Sequence, residues 1–173
     1  MNLIVTCARN LEGEAEEEII DILDELGDSD IKISVSNMSG IITIQTKLDP
    51  IEVVRKMKEI LLDEPWSIRY CLRVIPIQKI VETNLEKIQE CISSISNNIE
   101  DDESYRILIE KRNSDISSKE IITNIANQIK NKVSLDYPDK IILIEILGIV
   151  TGISLIKKSD ILSLEKTKRS MSE

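Results

Sequence analysis

The alternation of apolar and polar residues divides the first part of the chain into short strands and helices. The apolar run from Leu3 to Cys7 predicts a strand. Residues 12–26 carry apolar side chains every three to four positions and end at Gly27, which predicts an amphipathic helix. Residues 31–35 and 41–45 alternate apolar with polar on either side of a polar turn, which predicts a hairpin with one buried face.

A second helix and a fourth strand complete this pattern. Asp49 is a candidate cap, Pro50 suits the first helical position, and Glu52 completes a capping box. Residues 67–74 then predict a strand that ends at Pro76. The order strand, helix, strand, strand, helix, strand is typical of a ferredoxin-like fold.

The second half of the chain begins with a connector and another helix. Residues 75–81 are predicted to be a short connector between the two halves. Thr83 and Glu86 have the spacing of a capping box, and the helix that follows is predicted to end near Asn98.

A strand, a capped helix and two further strands follow. Residues 105–113 predict a strand whose end carries three polar residues. Ser117 and Glu120 predict a capping box for a helix that continues to about Lys132. The Ile-rich runs at 140–147 and 150–156 predict strands that are buried on both faces.

These elements predict an α/β (α+β) protein with two domains. We expect a ferredoxin-like domain at residues 1–80, a second α/β domain at residues 81–165 and a flexible tail at residues 166–173.

Composition excludes several classes of catalytic site. The chain has 173 residues and no His, so it cannot carry His-based nucleophilic or acid–base catalysis. No phosphate-binding glycine loop and no cluster of carboxylates with metal-ligand spacing is visible. We therefore expect no catalytic residue, no metal and no cofactor, and we expect that the chain is not an enzyme.

The cysteine spacing and the hydropathy indicate the cellular compartment of the protein. Cys7, Cys71 and Cys91 are far apart and form no C-x-x-C pair, which is typical of a reduced, cytoplasmic chain. No uninterrupted apolar stretch is long enough to cross a bilayer, so no membrane association is expected.

The charge is unevenly distributed. The net charge is −9, but residues 12–30 hold ten acidic and no basic residues, which leaves 22 basic and 21 acidic residues elsewhere. The simplest interpretation of the acidic helix is a solubilising surface, and the alternative is a surface that binds a basic partner. A basic surface can therefore coexist with an acidic one.

The candidate binding residues are basic and amide side chains in the predicted strands or close to them in sequence. They are Lys111, Arg112, Asn113, Arg69, Arg73, Lys79, Lys157 and Lys158. Arg69 and Arg73 are four positions apart on a predicted strand and so share a face, which suits either a phosphate track or ion pairs with neighbouring carboxylates. Lys111 to Asn113 suit either a solvated strand end or RNA contacts.

One acid lies within a predicted core strand. Glu145 is flanked by isoleucines, so it either forms a buried pair or faces outward at a domain seam.

Several of these segments together resemble THUMP-domain proteins. The segments are Val-Thr-Cys-Ala-Arg-Asn at the start, Ile-Glu-Lys-Arg-Asn at the strand end, the Leu-x-x-Pro-Asp turn, the Ile-Glu-Ile strand and Gly-Ile-Ser-Leu. The resemblance covers the chain from Leu3 to about Asp160. Within the family, the chain resembles the stand-alone THUMP adaptors of tRNA cytidine acetylation.

The resemblance implies a function without chemistry of its own. In that family the paired domains bind tRNA at its acceptor stem and 3′ end and place a modification enzyme on the target base. It implies RNA contacts at Lys111, Arg112 and Asn113 and at Arg69 and Arg73, and a cytidine acetyltransferase as partner. Changing Lys111 and Arg112 together to Glu is therefore expected to abolish tRNA binding and to leave the fold intact. The alternative is a regulatory or scaffold protein that self-associates, or binds a small ligand, through its ferredoxin-like sheet.

Overall fold

The structure, a computed structural model, describes residues 1–35 and 37–172. The chain divides into one unit made of residues 1–77 with the segment from 159 onward, and a second unit made of residues 78–158. Each unit has its own sheet and its own apolar core.

The first unit has the predicted ferredoxin-like order of elements. They are β1 (Leu3–Thr6), α1 (Glu12–Glu25), β2 (Lys32–Val35), β3 (Ile41–Gln45), α2 (Pro50–Asp63) and β4 (Arg73–Pro76). The strands form an antiparallel sheet in the order β2-β3-β1-β4. The predicted fold class is confirmed.

The helices of the first unit begin and end where the sequence predicts. Asp49 accepts a hydrogen bond from the Ile51 amide at 2.9 Å and caps α2, while α1 stops before Gly27, whose φ of +112° suits glycine. Glu52 pairs with Arg55 on the same helix. The buried faces of α1 and α2 pack with β1, β3 and β4 in one aliphatic core.

The predicted strand at residues 67–74 is wrong except for its last two residues. Residues 67–72 form a loop, and only Arg73–Pro76 pairs in the sheet. The cause is Glu18 of α1, whose carboxylate accepts the amide hydrogens of Arg69, Tyr70 and Cys71 at 2.9, 3.0 and 2.9 Å. Because these amides bond a side chain, they are not available to a neighbouring strand.

The second unit contains four strands and two helices. They are β5 (Lys79–Glu82), α3 (Leu85–Ser96), β6 (Tyr105–Arg112), α4 (Ser118–Gln128), β7 (Lys140–Leu147) and β8 (Val150–Ile156). The sheet order is β5-β8-β7-β6, with β6 parallel to β7 and the other pairs antiparallel. Isoleucines from α3 and α4 pack on one face of this sheet.

Three local expectations in this unit need correction. The predicted connector contains strand β5, which pairs with β8 at an edge of the sheet. Asn84, rather than Thr83, caps α3 by accepting the amides of Glu86 and Lys87, and the Thr83 hydroxyl bonds that of Thr151 at 2.9 Å. Helix α4 ends at Gln128 because Ile129 is already extended.

The end of the chain returns to the first unit. Strand β9 (Leu162–Ser163) pairs with β4, and helix α5 (Leu164–Met171) follows it directly. Leu162 and Leu164 are buried in the first core, so residues 159–165 belong to the first unit and not to the second. Most of the predicted flexible tail lies in helix α5. Glu173, the last residue of that predicted tail, lies outside the described residues.

Within the described ranges, the structure contains no helix with the length and apolar character that a membrane span requires.

Candidate nucleic-acid interface

The carboxyl end of β6 lies at the edge of the second sheet where both helices of that unit begin. The Arg112 carbonyl accepts the Gly148 amide at 2.9 Å, and the Thr83 amide donates to the Ile149 carbonyl at 2.9 Å. The turn between β7 and β8 therefore lies between the end of β6 and the end of β5. We call the surface formed by residues 111–113, this turn and the first turns of α3 and α4 the Lys111 edge.

Two of the three predicted side chains at this edge are exposed. Lys111 is exposed and its Nζ donates to the Ile116 carbonyl at 2.9 Å, which ties the strand end to the loop before α4. Asn113 is also exposed and has a φ of +54°, a left-handed conformation that Asn tolerates better than most residues.

Arg112 has a structural partner. Its Nη1 lies 3.2 Å from Oε2 of Glu145 on the neighbouring strand, and Glu145 has no exposed surface. Of the two readings of Glu145, the structure supports the buried pair. The expectation that reversing Lys111 and Arg112 together leaves the fold intact overlooked this contact, because a Glu at residue 112 would face a buried carboxylate.

The electrostatics of the Lys111 edge are mixed. The amino termini of α3 and α4 both lie at this edge, and the positive end of a helix dipole attracts anions. The side chains of Asn84 and Ser117 already accept amides of these first turns. Glu86 and Glu120 lie in the same first turns and oppose that attraction. The cation of Lys111 and the donors of Asn113 stand beside these helix starts.

Three of the predicted residues lie at the opposite end of the same sheet. Lys79 begins β5, while Lys157 and Lys158 follow the end of β8, which runs antiparallel to β5 and β7. Strand β7 spans eight residues, so the two ends are separated by about 25 Å. The structure therefore does not bring these lysines together with Lys111.

The other two predicted residues belong to the first unit. Arg73 lies in β4, opposite Thr6 and Ser163, but Arg69 lies in the loop held by Glu18. The prediction that Arg69 and Arg73 share one face of a strand is wrong.

Several acidic residues make structural hydrogen bonds that the sequence did not predict. Glu12 accepts the Gly40 amide at 2.8 Å, and Asp28 accepts the Thr46 hydroxyl at 2.5 Å and the Lys47 amide at 2.8 Å. With Glu18, these are three acids of the 12–30 segment that bind backbone amides. The acidic helix is therefore partly structural as well as solvating, and no local signal separates these acids from their neighbours.

Comparison with solved structures shows where this fold occurs. The chain is similar to PH1313 from Pyrococcus horikoshii, with a TM-score of 0.63 and 21% identity over 91% of this chain and 55% of that one. It is also similar to TrmN from Thermus thermophilus, with a TM-score of 0.59 and 13% identity over 88% and 44% of the two chains. A third similar structure is a possible methylase from Clostridium difficile 630, with a TM-score of 0.54 and 19% identity over 90% of this chain and 40% of that one.

These similarities establish the fold. The chain spans about half of the length of the solved structures that it matches. Among curated proteins, no sequence matches this chain.

The decisive observation is a match between residues 82–156 and the THUMP domain family. This chain contains a THUMP domain. THUMP domains are RNA-binding modules. The match extends from the last residue of β5 to the end of β8, so the THUMP domain includes the whole Lys111 edge. Lys79, Lys157 and Lys158 lie just outside it, and Arg69 and Arg73 lie well outside it.

Proposed function

We propose that this protein is a tRNA-binding adaptor that recognises the acceptor end of tRNA and supports a separate modification enzyme. The observation that carries the proposal is the THUMP domain at residues 82–156, because that domain is an RNA-binding module. The proposed site of action is the cytoplasm.

The Lys111 edge is the proposed RNA contact. It lies inside the THUMP domain, and it presents an exposed cation, an exposed amide and two helix starts. A-form RNA is recognised through phosphates and 2′-hydroxyls, which suit the ammonium of Lys111 and the amide of Asn113. Arg112 is proposed to act mainly by holding the strand end through Glu145. Lys79, Lys157, Lys158, Arg69 and Arg73 are proposed as peripheral phosphate contacts.

The chemistry is proposed to come from another protein. One structure of similar fold is described as a possible methylase, and this chain covers 40% of it. The enzyme that this chain serves is therefore proposed to be a separate protein to which the chain delivers RNA. Among such enzymes, a tRNA cytidine acetyltransferase is the proposed partner.

The first test is equilibrium binding of the purified chain to total tRNA and to the same pool trimmed of its 3′ single-stranded end. The proposal predicts binding to intact tRNA that weakens on trimming. Equal binding to both pools would refute recognition of the acceptor end, and absence of binding to either would refute the RNA-binding function itself.

The partner is tested separately. The tRNA cytidine acetyltransferase from the same genome is incubated with tRNA, with and without this chain, and N4-acetylcytidine is measured. A rate that rises with added chain supports the adaptor role. An unchanged rate, in a preparation that binds tRNA, would exclude this enzyme as the partner and leave RNA binding in place.

A further inference from the structure

The chain's single tryptophan lies on the surface of the first unit. Trp66 is 64% exposed, whereas tryptophan side chains are on average highly buried. The chain has no Phe and three Tyr, and both of its cores are built mainly from aliphatic side chains. Packing of the fold therefore does not explain the position of Trp66.

Trp66 lines an open groove of about 460 Å³. Pro65 and Trp66 follow α2, while Lys168 and Met171 come from α5, which packs against α2. The groove thus combines an indole and two other apolar side chains with one ammonium group. Ser172 also lines this groove.

A second cation, Arg69, bonds the main chain of Trp66. The Nε of Arg69 donates to the Trp66 carbonyl at 3.2 Å, and the Arg69 amide is held by Glu18 at 2.9 Å. The loop that carries Trp66 and Arg69 is therefore fixed at two points before any ligand binds. A site fixed in this way loses less conformational entropy on binding than a mobile one.

The charge is different on the two sides of this loop. Glu64 lines a separate groove together with Glu14, Glu17, Glu18, Asp21 and Glu25 of α1. Among the described residues that line the groove at Trp66, the charged one is Lys168. A polyanion is thus favoured on the Trp66 side and repelled on the other.

We propose that Trp66 stacks against an unpaired base of RNA while Lys168 and Arg69 bind the adjacent phosphates. Aromatic side chains next to cations are the usual platform for single-stranded nucleic acid, because every base has a π face. The inference rests on the proposed RNA-binding function and adds a second contact in the first unit, outside the THUMP domain. It predicts little preference for base identity.

The single tryptophan makes the test direct. Tryptophan fluorescence, excited at a wavelength that the three tyrosines do not absorb, reports Trp66 alone. It is measured while the full chain is titrated with tRNA and with a short single-stranded RNA. The anisotropy of labelled RNA is followed in parallel as a readout of binding. An abasic ribose–phosphate chain of the same length serves as the ligand without bases.

The expected result is quenching of Trp66 by both RNAs and little quenching by the abasic chain. Trp66→Ala should weaken binding of the single-stranded RNA by about tenfold. Tyr137→Ala is the matched control, because Tyr137 is an aromatic residue 88% exposed in the second unit, and its removal should leave this affinity unchanged. Circular dichroism should show both variants folded, since neither side chain is buried.

The other outcomes distinguish failure of the stacking site at Trp66 from failure of the proposed RNA-binding function. RNA binding seen by anisotropy without quenching, and with wild-type affinity in Trp66→Ala, would overturn the stacking site while the adaptor function stands. No binding of any RNA would overturn both. A change of Trp66 fluorescence that depends on protein concentration, without RNA, would show that the groove contacts a second copy and would also overturn the stacking proposal.

Discussion

The guanidinium Nη1 of Arg112 lies 3.2 Å from the Oε2 atom of Glu145, across two neighbouring parallel strands. Glu145 is fully buried, and Arg112 is about one-third exposed. Two residues that look unrelated in the sequence thus form one ion pair beneath the proposed RNA-binding surface. This pair fixes the end of β6, from which Lys111 and Asn113 project.

The pair leads to a prediction for stability. Arg112→Gln should destabilise the protein by about 2–3 kcal/mol, because it removes the guanidinium that pairs with the buried Glu145 carboxylate. The loss should be somewhat smaller than for a fully buried pair, because Arg112 is partly exposed. Arg112→Glu should be worse, and Arg112→Lys should be the mildest change. Urea unfolding followed by circular dichroism measures the effect, with Lys111→Gln as an exposed control. Equal stability of Arg112→Glu and wild type would show that the pair does not form.

Asn113 allows a side chain to be tested apart from its backbone conformation. Its φ of +54° is easy for Gly and strained for Ala, so Asn113→Gly should keep the fold and Asn113→Ala should cost about 1 kcal/mol. If the amide contacts RNA, both variants should bind tRNA more weakly. Should Asn113→Gly retain wild-type affinity, Asn113 would be a turn residue only.

Glu18 provides a prediction about the first unit. Its carboxylate accepts three backbone amides, so Glu18→Ala should destabilise the protein by about 1–3 kcal/mol. Glu17→Ala removes the same charge from an exposed neighbour and should change stability by less than about 0.5 kcal/mol. The comparison is made by thermal unfolding of both variants. Similar losses would mean that Glu18 acts only through the charge of the helix.

Asp28 gives a prediction for acid stability. Hydrogen bonds from the Thr46 hydroxyl and the Lys47 amide lower the pKa of Asp28 below its ordinary value of 3.8, although its burial acts in the opposite direction. A lowered pKa in the folded state means that the stabilisation is present above pH 3.8 and is lost as the pH falls through the folded-state pKa. Asp28→Asn should therefore be less stable than wild type near neutral pH, and the difference should shrink in acid. A difference that stays constant down to low pH would contradict this assignment.

The strongest local signals predicted the fold well. The bounds of β7 and β8 follow from Ile-rich runs on either side of Gly148, whose φ of +61° suits the hairpin turn. The start of α4 follows from Ser117, which accepts the Glu120 amide at 3.2 Å. Caps and turns are local chemistry, so one stretch of sequence contains the whole signal.

Elements that depend on distant partners were missed. Strand β5 has only two apolar residues between Lys79 and Glu82, and its partner in β8 lies about seventy positions away. Strand β9 has two residues and joins β4 only because Leu162 and Leu164 enter the first core. Neither length nor periodicity can reveal such pairings.

The sequence predicted only part of the candidate site, because the rest depends on residues that are distant along the chain. The position of residues 111–113 at a strand end follows from local pattern, and the structure places them together at one edge. Their separation from Lys79, Lys157 and Lys158 depends on sheet topology. The role of Arg112 depends on a partner 33 residues away, and the position of Arg69 depends on one 51 residues away.

The central claim is that the Lys111 edge of the THUMP domain binds tRNA. The most direct measurement is the tRNA affinity of wild type, Lys111→Gln and Lys130→Gln over a range of salt concentrations. Lys130 is an exposed lysine beyond the far end of α4, so its variant has the same charge change away from the proposed surface. Each phosphate contact adds about one to the slope of log affinity against log salt concentration. Lys111→Gln should therefore bind tRNA more weakly than wild type, with a slope reduced by about one. Lys130→Gln should match wild type in both affinity and slope. Equal slopes and affinities for all three proteins would contradict the account.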